Sequence, residues 1–138
     1  MASANVDLVR SLYPAWERGD FSSVEWAHPE IESVRADGPL PGRWTGLTGL
    51  QTWREVIDTW EDFRFQAEEF RELDGERVLV LLRFSGRGKT SGLEIGLMGS
   101  RGANVFHVRD GKVTRTVFYF DRERALSDLG LAPEAGSS

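Results

Sequence analysis

The sequence predicts an α+β domain in which helices come first and an antiparallel strand meander follows. Three observations predict it. Apolar residues recur at helical spacing in 5–18 and in 48–61, and Asp-Gly pairs at 74–75 and 110–111 separate runs of alternating character. Between them, 78–82 is an unbroken apolar stretch of strand length.

The first helix is expected over 5–18, where Val9, Leu12, Tyr13 and Trp16 fall at i, i+3, i+4 and i+7. Asn5 is placed to cap it. Pro14 has no amide to donate and crowds the preceding turn, which predicts a kink or a shifted helix start. Gly19 ends this helix; Asp20 then caps a short second one, 21–27, stopped by Pro29. A strand over 30–36 follows, broken by the turn-forming DGPLPG at 37–42. Thr48-Gly-Leu-Gln51 has the spacing of a capping box, and Leu50, Trp53, Ile57 and Trp60 share one helical face. A third helix to about residue 61 is the reading.

From residue 63 the period changes. Strands are expected over 64–73 and 77–85, joined at Asp74-Gly75, with Val78 to Leu82 apolar on both faces as in a strand covered on both sides. GRGKTSG (86–92) reads as a turn and 93–103 as a strand. One side of that strand carries Glu94, Gly96, Met98, Ser100 and Gly102, mostly small residues that leave room above the sheet, and Gly99 and Gly102 suggest a bulge. The hairpin at 104–121 turns at Asp110-Gly111, because glycine tolerates the positive φ of tight hairpin turns. Alternation puts Thr114, Thr116, Phe118 and Phe120 on one face, and Val113, Arg115, Val117 and Tyr119 on the other. In the facing strand Asn104, Phe106 and Val108 point one way, and Val105 and His107 the other. Asn104, Thr114 and Thr116 among aromatics suit a pocket wall and equally a half-buried sheet. Both faces need cover, from helices on one and from a second subunit on the other. A last helix over 122–129 stops at Gly130, and 132–138 is a frayed tail.

A chain of 138 residues with 40% hydrophobic and 28% charged content suits one globular domain. Its net charge of −5 argues against nucleic acid. No apolar run approaches the ~20 residues of a membrane helix, and MASANVDLVR has no signal-peptide pattern. With no cysteine there is no disulfide or thiol chemistry. A cytoplasmic protein is the expectation. Gly88-Lys89-Thr90 mimics the end of a phosphate-binding loop, but Arg83 stands where its first glycine belongs and no helix follows. His28 and His107 share no metal-ligand spacing, and no Gly-x-Ser-x-Gly elbow occurs. Neither metal nor cofactor is expected.

What remains is a set of polar groups able to meet in one pocket. Asp37 leads, ending the first strand beside the third helix, although Asp-Gly-Pro reads equally as a turn. Arg35 shares its face, and pairing would weaken Asp37 as a base. Tyr13 offers a phenol to a substrate oxygen, or belongs to the core with Leu12 and Trp16. Asn104, mid-strand, requires a hydrogen-bond partner. Trp16, Trp44, Trp53 and Trp60 suit core packing better than a ligand platform. His107 reads as an outer-face residue and His28 as a helix-end residue.

The element order, with GKVTRTVFYFDRERALSDLGL and HPEIES…GPLPGRWTGLTGL, resembles the nuclear-transport-factor-2-like (NTF2-like) superfamily, specifically its SnoaL-like branch, over about 5–131. The resemblance implies an NTF2-like conical barrel: a curved, mostly antiparallel sheet with three N-terminal helices on its concave face and a cavity between. It also implies a homodimer packed through the sheet's outer face. The superfamily spans ketosteroid isomerases, polyketide cyclases, epoxide hydrolases, dehydratases and noncatalytic binders, so fold alone assigns no reaction. The isomerase pattern places a base nine residues before a glycine that precedes the third helix, which here is Asp37 before Gly46. Its oxyanion-hole acid falls on Asn104, and its tyrosine beside Tyr13, one position off. Cyclases and epoxide hydrolases place a carboxylate near Phe118, where this chain has none on the inward face. The expectation is an apolar or carbonyl-bearing ligand, lined by Trp16, Arg35, Trp53, Met98, Phe106, Thr116 and Phe118. The alternative is isomerase-type proton transfer without a cofactor, with Asp37 as base and Asn104 and Tyr13 as oxyanion donors.

Overall fold

The computed structural model describes residues 4–18, 24–36, 42–47, 60–88, 94–95 and 101–131. Helix α1 spans Ala4–Glu17. The strands are β1 (Ala27–Arg35), β2 (Gly42–Thr45), β3 (Trp60–Glu72), β4 (Arg77–Gly88), β5 (Glu94–Ile95), β6 (Arg101–Arg109) and β7 (Lys112–Tyr119). Helix α2, Arg122–Asp128, follows β7. One sheet runs in the order β2-β1-β7-β6-β4-β3, with β5 against β4. Every pairing is antiparallel except β1 with β7, which is parallel.

Both Asp-Gly turns form hairpins. Asp110 and Gly111 have φ of 53° and 76°, the two positive values of a type I′ turn, and Arg109 pairs with Lys112 across it. At the other turn, Asp74 Oδ1 accepts the backbone amides of Glu76 and Arg77 at 2.8 and 2.9 Å. β4 is buried on both faces. Val78, Val80 and Leu82 join Val6, Val9 and Leu12 of α1 in one core, while Leu79 and Leu81 join Val105, Tyr119, Ala125 and Leu126 in another. Cover for that second patch comes from the chain's own α2.

Arg122 fastens α2 to the sheet. Its buried guanidinium donates to the Leu82 carbonyl, to Gly102 O at 3.2 Å and to Glu68 Oε1 at 2.7 Å. Glu68 sits where the β3–β4 register shifts between Ala67 and Glu69, so a bulge brings this carboxylate to the arginine. Asp121 caps the helix by accepting the Glu123 amide. At the other end Gly130 takes φ of 72°. Gly130 N–H then reaches Ser127 O and Leu131 N–H reaches Leu126 O, the paired bonds of a Schellman stop.

Several expectations need correction. Three N-terminal helices are not found: among the described residues there are two helices, one at each end of the fold. Residues 25–26 form a turn and Ala27 already belongs to β1, so the short second helix does not extend there. The hydrogen bond of Val113 N–H to Trp26 O, at 2.9 Å, draws this segment into the sheet instead. Most of the expected third helix, with Trp53, lies outside the described residues, and Trp60 and Glu61 begin β3 opposite Gly88 and Arg87. The sequence reading missed β2, a four-residue edge strand on β1. Asn5 is inside α1 rather than capping it, and its Nδ2 donates to Gly75 O at 2.8 Å. Pro14 lies inside α1, which spans Ala4–Glu17. His28 lies in β1, where its Nδ1 accepts the Glu30 amide. Val113 belongs to the α1-side core, not to the outer face. Between the pairs His107–Arg115 and Val108–Val113 the register shifts, and the extra residue, Thr114, turns Val113 inward.

The Arg122 hydrogen bond is the main cause holding the Glu68 carboxyl below its ordinary 4.5. A depressed carboxyl value contributes stability that is full above the unfolded-state value and disappears as pH falls through the folded one. Arg122→Leu is expected to cost about 3 kcal/mol in urea unfolding at pH 7, since it strands two buried carbonyls, while Glu68 keeps Arg83 at 3.0 Å. Glu68→Gln is expected to flatten the loss of stability below pH 4.5, measured as midpoint against pH.

Candidate functional site

Register partners project to the same face of a sheet, so two rows of side chains can be read across the α1 side. One row is Ser33, Thr116, Phe106 and Val78, and the next is Arg35, Phe118, Asn104 and Val80. Ile31, two residues before Ser33, confirms the face by lying in the α1-side core. Each row passes from polar at β1 to apolar at β4. Among the described residues the buried polar side chains are Ser33, Arg35, Asn104, Thr116 and Arg122. Four of these five therefore sit in two adjacent rows on one face.

Tyr13 reaches the same region from α1 and is 2% exposed. Its ring meets Trp16, Phe70 and Phe106 edge-on at centroid distances of 5.1, 5.5 and 6.2 Å. Burial pushes its phenol far above the ordinary 10; the facing Asn104 amide opposes this and the Glu17 carboxylate adds to it. The hydroxyl is thus a proton donor throughout the physiological range. Buried polar atoms on this face that make no hydrogen bond include Ser33 Oγ and Asn104 Oδ1. Leaving such a group unpaired costs about 1–3 kcal/mol, so each calls for a functional or structural reason.

At the β1 end, the Arg35 guanidinium lies 4.0 Å from the centroid of the half-buried Trp44 ring. Gly42, across from Arg35 in β2, lies under that ring. A Cβ there would stand 2.8 Å from Trp44 Cη2. The stacked pair thus depends on a residue without a side chain.

Of the expected site residues, Tyr13, Arg35, Asn104, Phe106, Thr116 and Phe118 are brought to one face. Trp16 lies beside them, half-buried, stacked on Phe106 at 6.1 Å and 19° and edge-on to Trp26 at 5.3 Å. Phe106 is wholly buried and forms the base of this aromatic group. Phe118, 6% exposed, meets Phe120 edge-on at 4.9 Å. Asp37, Trp53 and Met98 lie outside the described residues. His107 is on the opposite face, half-buried, and burial with Arg115 and Arg77 holds its pKa below the usual value. Among the described residues no group of His, Asp or Glu could hold a metal ion, and no helix is long and apolar enough to cross a membrane. Ser33 escaped the sequence reading. The alternation Ile31-Ser33-Arg35 was its only signal, and that acquires meaning only once β1 is paired with β7.

The family model of the SnoaL-like domain matches residues 9–116. Solved structures share the fold. An NTF2-like protein of unknown function from Burkholderia pseudomallei aligns with a TM-score of 0.73 at 22% identity, over 91% of this chain and 97% of that one. TerC, crystallised with polyporic acid, gives 0.71 at 24% identity over 94% and 98%. A protein with a ketosteroid isomerase-like fold from Catenulispora acidiphila, in complex with trimethylamine, gives 0.64 at 15% over 96% and 97%. No curated protein matches the chain.

Replacing the Ser33 hydroxyl removes a group that has no partner, whereas Phe106 is packed on all sides. Ser33→Ala is expected to leave ligand-free stability within about 1 kcal/mol of wild type. Phe106→Ala is expected to lose about 3–5 kcal/mol. Urea unfolding midpoints of the two variants check the contrast.

Proposed function

The chain belongs to the SnoaL-like family, and from that premise we propose that it binds a small, largely apolar, carbonyl-bearing molecule against the polar rows of its sheet. One observation carries the reading. Buried polar side chains are concentrated in two neighbouring rows of an aromatic-lined face, and two of their atoms have no hydrogen bond within the protein. Binding sites of this kind are apolar with a few convergent polar groups that set orientation. Tyr13 donates to the ligand's carbonyl oxygen, assisted by the Asn104 amide, and Phe118 with Trp16 receives the apolar body. The relatives crystallised with polyporic acid and trimethylamine support a ligand-accepting fold.

A second reading adds chemistry to the same pocket. Tyr13 is held protonated beside Asn104, which suits the stabilisation of a developing oxyanion. With Asp37 as the base, the reaction would be abstraction of a proton beside the bound carbonyl and its return at another carbon.

A thermal-shift screen of aromatic and alicyclic ketones separates these. Ligands present at about a hundredfold over Kd are expected to stabilise wild type by about 2.7 kcal/mol. Tyr13→Phe and Asn104→Leu are expected to weaken the same ligands about tenfold each. Solvent deuterium exchange at the carbon beside the bound carbonyl, followed by NMR, tests the second reading. Exchange that is lost in Asp37→Asn while binding persists supports it, and binding without exchange in wild type leaves ligand binding as the function.

A further inference from the structure

The dipeptide Asp-Gly occurs at 37–38, 74–75 and 110–111, and the last two pairs form the tips of the described hairpins. Glycine suits such a turn because it has no side chain, and for the same reason its amide nitrogen lies open to the carboxyl before it. We propose that Asp110 is a site of spontaneous isoaspartate formation in the folded protein, and that the fold protects Asp74 in the same dipeptide. The pair Asp37-Gly38 lies outside the described residues.

The reaction balances with water alone. The Gly111 nitrogen attacks Asp110 Cγ and a C–N bond forms. The hydroxyl of the carboxyl group leaves with the amide proton as water, which closes a succinimide ring. Water then adds to either ring carbonyl. Addition at Cγ restores aspartate, whereas addition at the main-chain carbonyl of Asp110 leaves the chain running through Cγ, with one extra backbone carbon and no net change in mass. The first step requires a carboxyl in its acid form that is able to turn toward the next amide.

Both glycines are equally open, since a Cβ at Gly75 or Gly111 would meet nothing within 4 Å. The aspartates differ. Asp74 Oδ1 accepts the Glu76 and Arg77 amides at 2.8 and 2.9 Å, and its Oδ2 accepts Arg77 Nε at 2.7 Å. These bonds aim the carboxyl at residues 76 and 77 and must break before it can turn to the Gly75 nitrogen. The Glu76 amide, followed by Arg77, also holds this carboxyl below its ordinary 3.8, so less of it is in the acid form. Asp110 is exposed, and among the described residues none bonds its carboxyl. Its φ of 53° is the left-handed conformation, which is unfavourable for L residues, and the rearranged linkage releases it. An added carbon in this tight turn also removes the match of Arg109 to Lys112, at the end of the strands that carry Asn104, Thr116 and Phe118.

The test ages the full chain near physiological temperature and pH, then maps it by proteolysis and electron-transfer fragmentation, which separates the two linkages at equal mass. Isoaspartate is expected to accumulate about tenfold faster at 110 than at 74, the factor set by the hydrogen bonds that must first break at Asp74. In urea the two rates are expected to converge. In the folded chain Arg77→Ala is expected to speed the reaction at Asp74 about threefold, and Asp110→Glu, which does not close this ring readily, to abolish the signal at 110. A folded chain that forms no isoaspartate at 110, or as much at 74 as at 110, overturns the proposal. So does a ratio that persists unchanged in urea, because the neighbouring sequence rather than the fold would then set it.

Discussion

The parallel pairing of β1 with β7 is the constraint on which the rest of this structure depends. It joins the first strand of the chain to the last long one, and it is clamped at both ends. Val113 N–H bonds to Trp26 O at one end and Ala36 N–H to Phe118 O at the other, both at 2.9 Å. Because side chains alternate along a strand, a slip of one residue would turn Ser33 and Arg35 outward and bring Glu32 and Val34 in. The outer-face ion pairs of Glu32 with Arg115 at 3.0 Å and Arg43 at 3.2 Å oppose that slip, although exposed pairs like these contribute little each. Register here is set chiefly by Ile31, which fills the α1-side core with no exposure.

Burial on both faces lets the middle of the sheet tolerate an unsatisfied site. β4 supplies five consecutive residues, Val78 to Leu82, each no more than 2% exposed, and they alternate between two separate cores. Side chains of this size contribute about 1.5–3 kcal/mol each on burial. Two unpaired polar atoms, at about 1–3 kcal/mol each, are offset by a few such residues. Arg122 illustrates the opposite solution to the same problem: a charge buried on the other face with carbonyls and a carboxylate as partners. Arg122 is satisfied by these partners, whereas Ser33 Oγ and Asn104 Oδ1, on the face toward α1, make no hydrogen bond.

Membership of the SnoaL-like family accounts for the architecture and leaves the chemistry to individual side chains. Two solved structures of the same fold, at 24% and 15% identity, were crystallised with different small molecules. In this chain the candidate features are the Tyr13–Asn104 pair, the Ser33 hydroxyl and the Arg35–Trp44 stack over Gly42. None is a catalytic signature in one dimension. Together they are the features on which the proposed ligand-binding role rests.

Local codes were legible in the sequence. Asp110-Gly111 announced a tight hairpin because two positive φ values are inexpensive there, Gly130 announced the helix stop, and the apolar run 78–82 announced a strand covered twice. The faces of β6 and most of β7 followed from alternation alone, so Asn104, Thr116 and Phe118 could be placed together before any coordinates. Tertiary contacts decided the remainder. Ala27 carries helix-compatible neighbours yet pairs with Val113; one extra residue at Thr114 reverses the side to which Val113 points; and Trp60 begins a strand opposite Gly88. Ser33 became a candidate only when β1 met β7. Turns and periods are properties of adjacent residues, whereas register joins segments some eighty positions apart, and nothing within either segment specifies which residue of the other it will face.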